Sequence, residues 1–210
     1  MKTHAIIIRG HGGVEVLEHV EIDVPAPQPG EVQIRQAAIG LNYVDTYIRS
    51  GLYPIRTGFP AVLGEEGAGE IIAVGEGVSD FKVGDRVAYA SVSGAYAAVR
   101  NLPADRIVLV PDGIELTTAA AMMLKGMTAE FLLHRTFAVG PGTVLLFYAA
   151  AGGVGLIAGQ WAKALGATVI GTAGSPEKIS LALRHGYDHV INSRSDDVVA
   201  RVREVTGGRG

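Results

Sequence analysis

The stretch "TVLLFYAAAGGVGLIAGQWAKALGATVIGTAGSPEK", residues 143–178, constrains the fold of this chain more than any other. It opens on "TVLLFYA", a run of uncharged residues that reads as a strand covered on both faces. A turn with three glycines in four positions follows. Beyond it Val154, Ile157, Ala158, Trp161, Ala162 and Leu165 recur at helical spacing and form one apolar face. "ATVIGTA" (167–173) is a second strand, "PEKISLALRHG" (176–186) a helix, "HVINS" (189–193) a third strand and "DDVVARVREVTGG" (196–208) a further helix. Strands alternating with helices predict a parallel sheet with crossover helices. A doubly wound dinucleotide fold has two βαβαβ halves. This sequence holds one, so the chain is expected to be the N-terminal portion of a longer protein.

The turn sits where a phosphate would be held. A glycine at 152 lets backbone approach a pyrophosphate, and one at 155 lets helix pack closely on strand. The free N–H groups at the helix start face the anion. Ala151, Gly152, Gly153 and Val154 are therefore candidate cofactor-binding residues. The first position of the usual G-x-G-x-x-G pattern is Ala150, and a glycine turn can also be needed for geometry alone.

The end of the second strand bears on which nucleotide is bound. A site selective for NAD places Asp or Glu there, to hold the ribose 2′-hydroxyl. This strand runs into Gly174, Ser175 and Lys178 instead. A hydroxyl and an ammonium, with no carboxylate to repel them, suit a 2′-phosphate, so NADPH is favoured over NADH. The plainer alternative is that Ser175 caps the next helix and Lys178 is a solvated side chain.

The rest of the chain is built differently. "HAIIIR" (4–9), "EVQIRQAAI" (31–39), "AGEIIAV" (68–74) and "DRVAYA" (85–90) read as short strands separated by Gly- and Pro-rich turns. The alternation in "EVQIR" predicts one buried and one wet face. "ELTTAAAMMLKGMTAEFLLHRTF" (115–137) reads as two helices or one bent at Gly126. A net charge of −3, with scattered Lys and Arg, gives no nucleic-acid footprint. The absence of cysteine removes disulfides, thiolate nucleophiles and sulfur-ligated zinc. No apolar run approaches a membrane span, so a cytoplasmic location is expected.

"LFYAAAGGVGLIAGQWAK" resembles the signature of the zeta-crystallin-type NADPH:quinone oxidoreductases, within the medium-chain dehydrogenase/reductase superfamily. "IGLNYVDTYIRSGLYP" (39–54) is similar to that family's N-terminal active-site segment, and "VLGEEGAGEI", "FKVGDRVAY", "GAY" and "LKGMTAEFLL" match in order. The resemblance covers essentially the whole chain. It implies an α/β protein with a GroES-like β-rich substrate domain at 1–120, followed at 121–210 by the first half of a Rossmann doubly wound sheet. It also implies NADPH as donor, in one- or two-electron steps, to quinones or related conjugated carbonyls, in a cleft between the domains. A homodimer is implied for the full-length form. Asn42, Tyr47 and Tyr53 would line the nicotinamide site as catalytic residues, with Lys125 and Thr128 also approaching the cofactor. Relatives often carry Tyr where this chain has Ser193, near the adenosine 2′-phosphate, so that contact is expected to be weaker here.

Zinc-dependent members use a Cys and a G-H-E motif; here the matching tripeptide is Gly64-Glu65-Glu66, and no metal is expected. Asp45 and Arg49, at i and i+4, read as a helix-surface pair, and Glu65-Glu66 as structural. Two other functions remain open on sequence: an enoyl-thioester reductase of the same superfamily, and a non-catalytic NADPH-binding protein, RNA binding included.

Overall fold

The computed structural model describes residues 1–55 and 57–209. They form two compact units, Met1–Leu124 and Lys125 onward.

The first unit is built of antiparallel strands. β1 (Lys2–Ile8), β2 (Glu18–Asp23) and β4 (Ala61–Val62) make a sheet of order β2-β1-β4. β3 (Glu31–Gly40), β5 (Glu66–Val74), β6 (Arg86–Ala90), β7 (Val99–Pro103) and β8 (Val108–Leu109) make a second, of order β7-β3-β5-β6-β8. A single helix, α1 (Tyr43–Ser50), follows β3. Val32, Ile34, Ile71, Val87, Tyr89 and Leu102 are fully buried and form the main core. The alternation expected of β3 fails at Gln33, which is buried between Val32 and Ile34. Its amide donates to Pro25 O and Asn101 Oδ1, each at 2.9 Å, so burial leaves the group satisfied.

α2 (Leu116–Glu130) passes through Gly126 without interruption. The change of geometry comes later, in π-helical turns over Phe131–Thr136. A glycine costs about 1 kcal/mol relative to alanine in a helix, which packing readily outweighs, and Gly126 is buried.

The second unit has the expected strand–helix alternation. β9 (Val144–Phe147), α3 (Gly153–Ala164), β10 (Thr168–Ala173), α4 (Pro176–Leu183), β11 (His189–Asn192) and α5 (Val198–Val205) give a parallel sheet of order β11-β10-β9. This is the start of a Rossmann-like sheet. The helix face read from the sequence packs as expected. Ala158 and Ala162 are buried, and Val154, Ile157, Trp161 and Leu165 pack around them on the sheet. β9 departs from its expectation, because only Leu145 and Phe147 meet that core. Val144, Leu146 and Tyr148 are exposed, and α5 covers that side of the strand only in part, since Leu146 and Tyr148 line an open pocket with its Val198, Val199 and Val202.

Candidate functional site

The glycine turn joins β9 to α3 and is shaped by close backbone approach. Ala149 adopts a left-handed φ of 54° to start it. A Cβ on Gly155 would lie 2.5 Å from Ala149 O and 2.6 Å from Ala150 O, so only glycine lets α3 start this near the strand. Tyr187 locks the arrangement by donating its hydroxyl to Gly155 O at 2.8 Å. Burial raises the Tyr187 phenol above its ordinary range, so it stays a donor. Gly152 is the N-cap of α3 and, having no side chain, offers no hydrogen bond to the first-turn N–H groups. Ser175 and Asp197 do supply such a bond to α4 and α5. An uncapped helix start beside a close-packed glycine turn fits the phosphates of a dinucleotide. Lys125 is brought to the same place, with its aliphatic stem against Gly153, where a Cβ would lie 2.8 Å from Lys125 Cδ. Thr128, on the next turn of α2, is half-buried.

At the end of β10 the structure gathers Gly174, Ser175, Lys178 and Ser193. Ser193 N donates to Ala173 O at 3.0 Å, which extends the β10–β11 ladder to the rim of the site. Ser175 is the N-cap of α4 and accepts from Lys178 N at 3.4 Å. The Glu177 carboxyl beside it is held below its ordinary value, first by its own backbone N–H and then by the nearby Ser175 hydroxyl. The Lys178 side chain is exposed. Sequence reasoning missed Arg194. Its Nε would lie 3.1 Å from a Cβ on Gly174, so its side chain rests over that glycine. The signal was present as an arginine just beyond "HVINS", but nothing local says which way it turns.

In the first unit Asn42 starts α1. It is buried, and its backbone N–H donates to Asp45 Oδ2 at 2.8 Å. Its side-chain amide donates to Glu66 Oε1 at 2.8 Å, and Glu66 Oε2 accepts from the backbone of Leu124 at 2.7 Å. Asp45 is therefore no helix-surface residue. It is 4% exposed, because Tyr96 also donates its hydroxyl to Asp45 Oδ2 at 2.8 Å. Burial first, and then Asp45, raise the Tyr96 phenol well above its usual range.

Tyr47 and Tyr53 stand together, with ring centroids 5.5 Å apart, and both are partly exposed. No hydrogen bond links Asn42 to either ring among the described residues. Tyr53 lines a cavity of about 390 Å³ whose walls include Val44, Ile48, Leu63, Glu65, Ser91 and Ser93. Ser93 donates to Glu65 Oε1 at 2.5 Å, and Ser91 holds a left-handed φ of 60° at the cavity wall. A strained non-glycine residue beside a buried carboxylate is common at functional sites.

Among the described residues, no three His, Asp or Glu side chains converge as metal ligands. Glu65 and Glu66, in the tripeptide that corresponds to the zinc motif, are bonded to Ser93 and Asn42. Nor is any described helix long and apolar enough to cross a membrane.

Comparison with known proteins bears on both units. The family model for the alcohol dehydrogenase GroES-like domain matches residues 28–136, and that for zinc-binding dehydrogenases matches 153–210. A quinone oxidoreductase of Salmonella typhimurium is 53% identical over 200 residues, covering 95% of this chain and 61% of its own length. One from Pseudomonas aeruginosa is 52% identical with the same coverage. The crystal structure of Escherichia coli quinone oxidoreductase complexed with NADPH superposes with a TM-score of 0.96 at 49% identity. That match covers 98% of this chain and 63% of that one, so the chain spans about three-fifths of the length of the proteins it matches. Strand order, glycine turn and sequence identity agree: the chain belongs to the alcohol dehydrogenase GroES-like family and is similar over nearly its whole length to quinone oxidoreductases.

Proposed function

We propose that the protein carrying this chain is an NADPH-dependent oxidoreductase that reduces quinones or related conjugated carbonyls. The observation that carries the reading is the α3 start. There a helix without a side-chain cap meets a strand through Gly152 and Gly155, in a chain 49% identical to a protein crystallised with NADPH.

Residues 121–210 are the nucleotide-binding portion and 1–120 the substrate portion. Ala151, Gly152, Gly153 and Val154 hold the pyrophosphate through backbone N–H groups, with the Lys125 ammonium beside them and Thr128 on the same helix. Gly174, Ser175, Lys178 and Ser193 bound the adenosine ribose. The bound nicotinamide supplies hydride, and the protein's part is to orient the acceptor and exclude water. Asn42 is held in one orientation by Glu66, which fixes its amide as a polar contact for the nicotinamide or the acceptor carbonyl. Tyr47 and Tyr53 supply a rigid aromatic wall with phenolic donors, and an acceptor ring lies against it. The cavity beside Tyr53, about 390 Å³ with mostly apolar walls, suits a small planar carbonyl compound. A cytoplasmic location, a homodimeric full-length form and no nucleic-acid partner complete the reading.

Titration of the chain with NADPH, followed by nucleotide fluorescence, tests it. Saturable binding that strengthens as salt is lowered is expected. Failure to bind either NADPH or NADH would overturn the reading.

A further inference from the structure

We infer that His11, in the loop after β1, positions the aromatic wall on which the acceptor ring rests. The inference deepens the acceptor-site reading above and depends on it. It starts from the last turn of α1, the helix that carries Tyr47. A helix end leaves carbonyl oxygens without partners inside the helix. Here Tyr47 O accepts from Tyr53 N at 3.1 Å, which folds the chain back and brings the two rings together. Ile48 O and Arg49 O are reached from outside the helix. His11 Nδ1 lies 3.1 Å from the first and 3.3 Å from the second, and Gly12 N donates to Arg49 O at 3.1 Å. Carbonyl oxygens only accept, so Nδ1 carries a proton and donates to both.

The imidazole is also seated. Gly51 closes α1 with a left-handed φ of 85°, and a Cβ there would lie 3.0 Å from His11 Cγ and Cδ2. Glycine thus leaves the ring room to lie on the turn that leads to Tyr53. The ring meets Phe59 edge-on as well, with centroids 5.0 Å apart.

The loop that presents His11 is itself pinned. Arg49 Nε donates back to Gly12 O at 3.3 Å, and Gly13 N donates to Glu15 Oε1 at 2.7 Å. Val16, at the end of the loop, packs with Ile48 and Ile55 on the core formed by Ile8, Ala61 and Leu63. Ile48, Ile55 and Leu63 also line the cavity beside Tyr53, whereas His11 does not. The imidazole therefore acts on the acceptor site through α1, as a positioning residue. A wall that is held in place contributes equally to the bound acceptor and to its transition state, so its loss is read in KM.

The test is steady-state kinetics of the full-length protein and two variants with NADPH and p-benzoquinone. His11→Phe keeps a ring against Gly51 and Phe59 but lacks the donor. It is expected to raise the quinone KM about tenfold, with kcat and the NADPH Kd within about twofold. His11→Asn places an amide nitrogen where Nδ1 stands, and should bring KM back to within about threefold of wild type. His11 is exposed, so neither substitution opens a core. An unchanged KM in His11→Phe overturns the inference. So does a His11→Asn variant as impaired as His11→Phe, since the donor would then not be what matters. A loss carried by kcat or by weaker NADPH binding overturns it too. A wild-type protein that does not oxidise NADPH with the quinone overturns the acceptor-site reading itself, and the His11 assignment falls with it.

Discussion

Asn42 donates its side-chain amide to Glu66 across 2.8 Å, and the same carboxylate accepts the backbone N–H of Leu124 at 2.7 Å. One fully buried side chain thus ties the start of α1 to the middle of α2. A buried carboxylate is costly unless its lone pairs are used, and these donors use them.

Substituting Glu66→Gln turns an amide N–H toward one of those two donors. The expected loss is about 2 kcal/mol of unfolding free energy, read from a shifted denaturant midpoint with an unchanged slope. A variant as stable as the parent would mean that the carboxylate contributes nothing beyond packing.

Gly153→Asp separates nucleotide binding from stability. The new carboxylate sits in the first turn of α3, where it complements the helix dipole, and its Cβ meets only the flexible stem of Lys125. Thermal stability should hold or rise slightly, while NADPH binding falls by at least about tenfold through repulsion of the pyrophosphate. Binding that survives the substitution would place the phosphates elsewhere.

Gly155→Ala should do the opposite. Its Cβ would press on two backbone oxygens that cannot move without shifting β9, so a loss of about 2–3 kcal/mol is expected from thermal unfolding. An unperturbed melting temperature would refute the close approach described above.

Asp188 gives a pH signature. Burial pushes its carboxyl upward, but the Lys163 ammonium and the Val169 N–H, donated at 2.8 Å, outweigh burial and hold the carboxyl below its ordinary value. A depressed folded-state value means that the stabilisation is present above the unfolded value, about 4, and is lost as pH falls through the folded one. Wild type should exceed Asp188→Asn by about 1 kcal/mol at neutral pH, and the gap should close in the acid range. A gap that is constant down to strong acid would show that the charge is immaterial.

How much of this was legible in the sequence depended on the range of the interactions involved. The apolar face from Val154 to Leu165 and the cap at Ser175 follow from side chains a few residues apart, and both are found as read. Gln33, Asp45 and Arg194 were misread or missed because their surroundings come from distant segments. Asn101 and Pro25 bury Gln33, Tyr96 buries Asp45, and Gly174 seats Arg194. The family resemblance pointed to Asn42, but not to the Glu66 carboxylate that orients it.

The exposed side chains of β9 have a bearing on handling. Val144, Leu146 and Tyr148 present an apolar stripe on a strand that pairs with β10 along one edge alone among the described residues. A bare edge and a greasy face on the same strand favour intermolecular strand pairing. Colloidal behaviour in concentrated solution therefore depends on these three side chains more than on the modest net charge, and a lysine at 146 would be the economical way to keep the chain monodisperse.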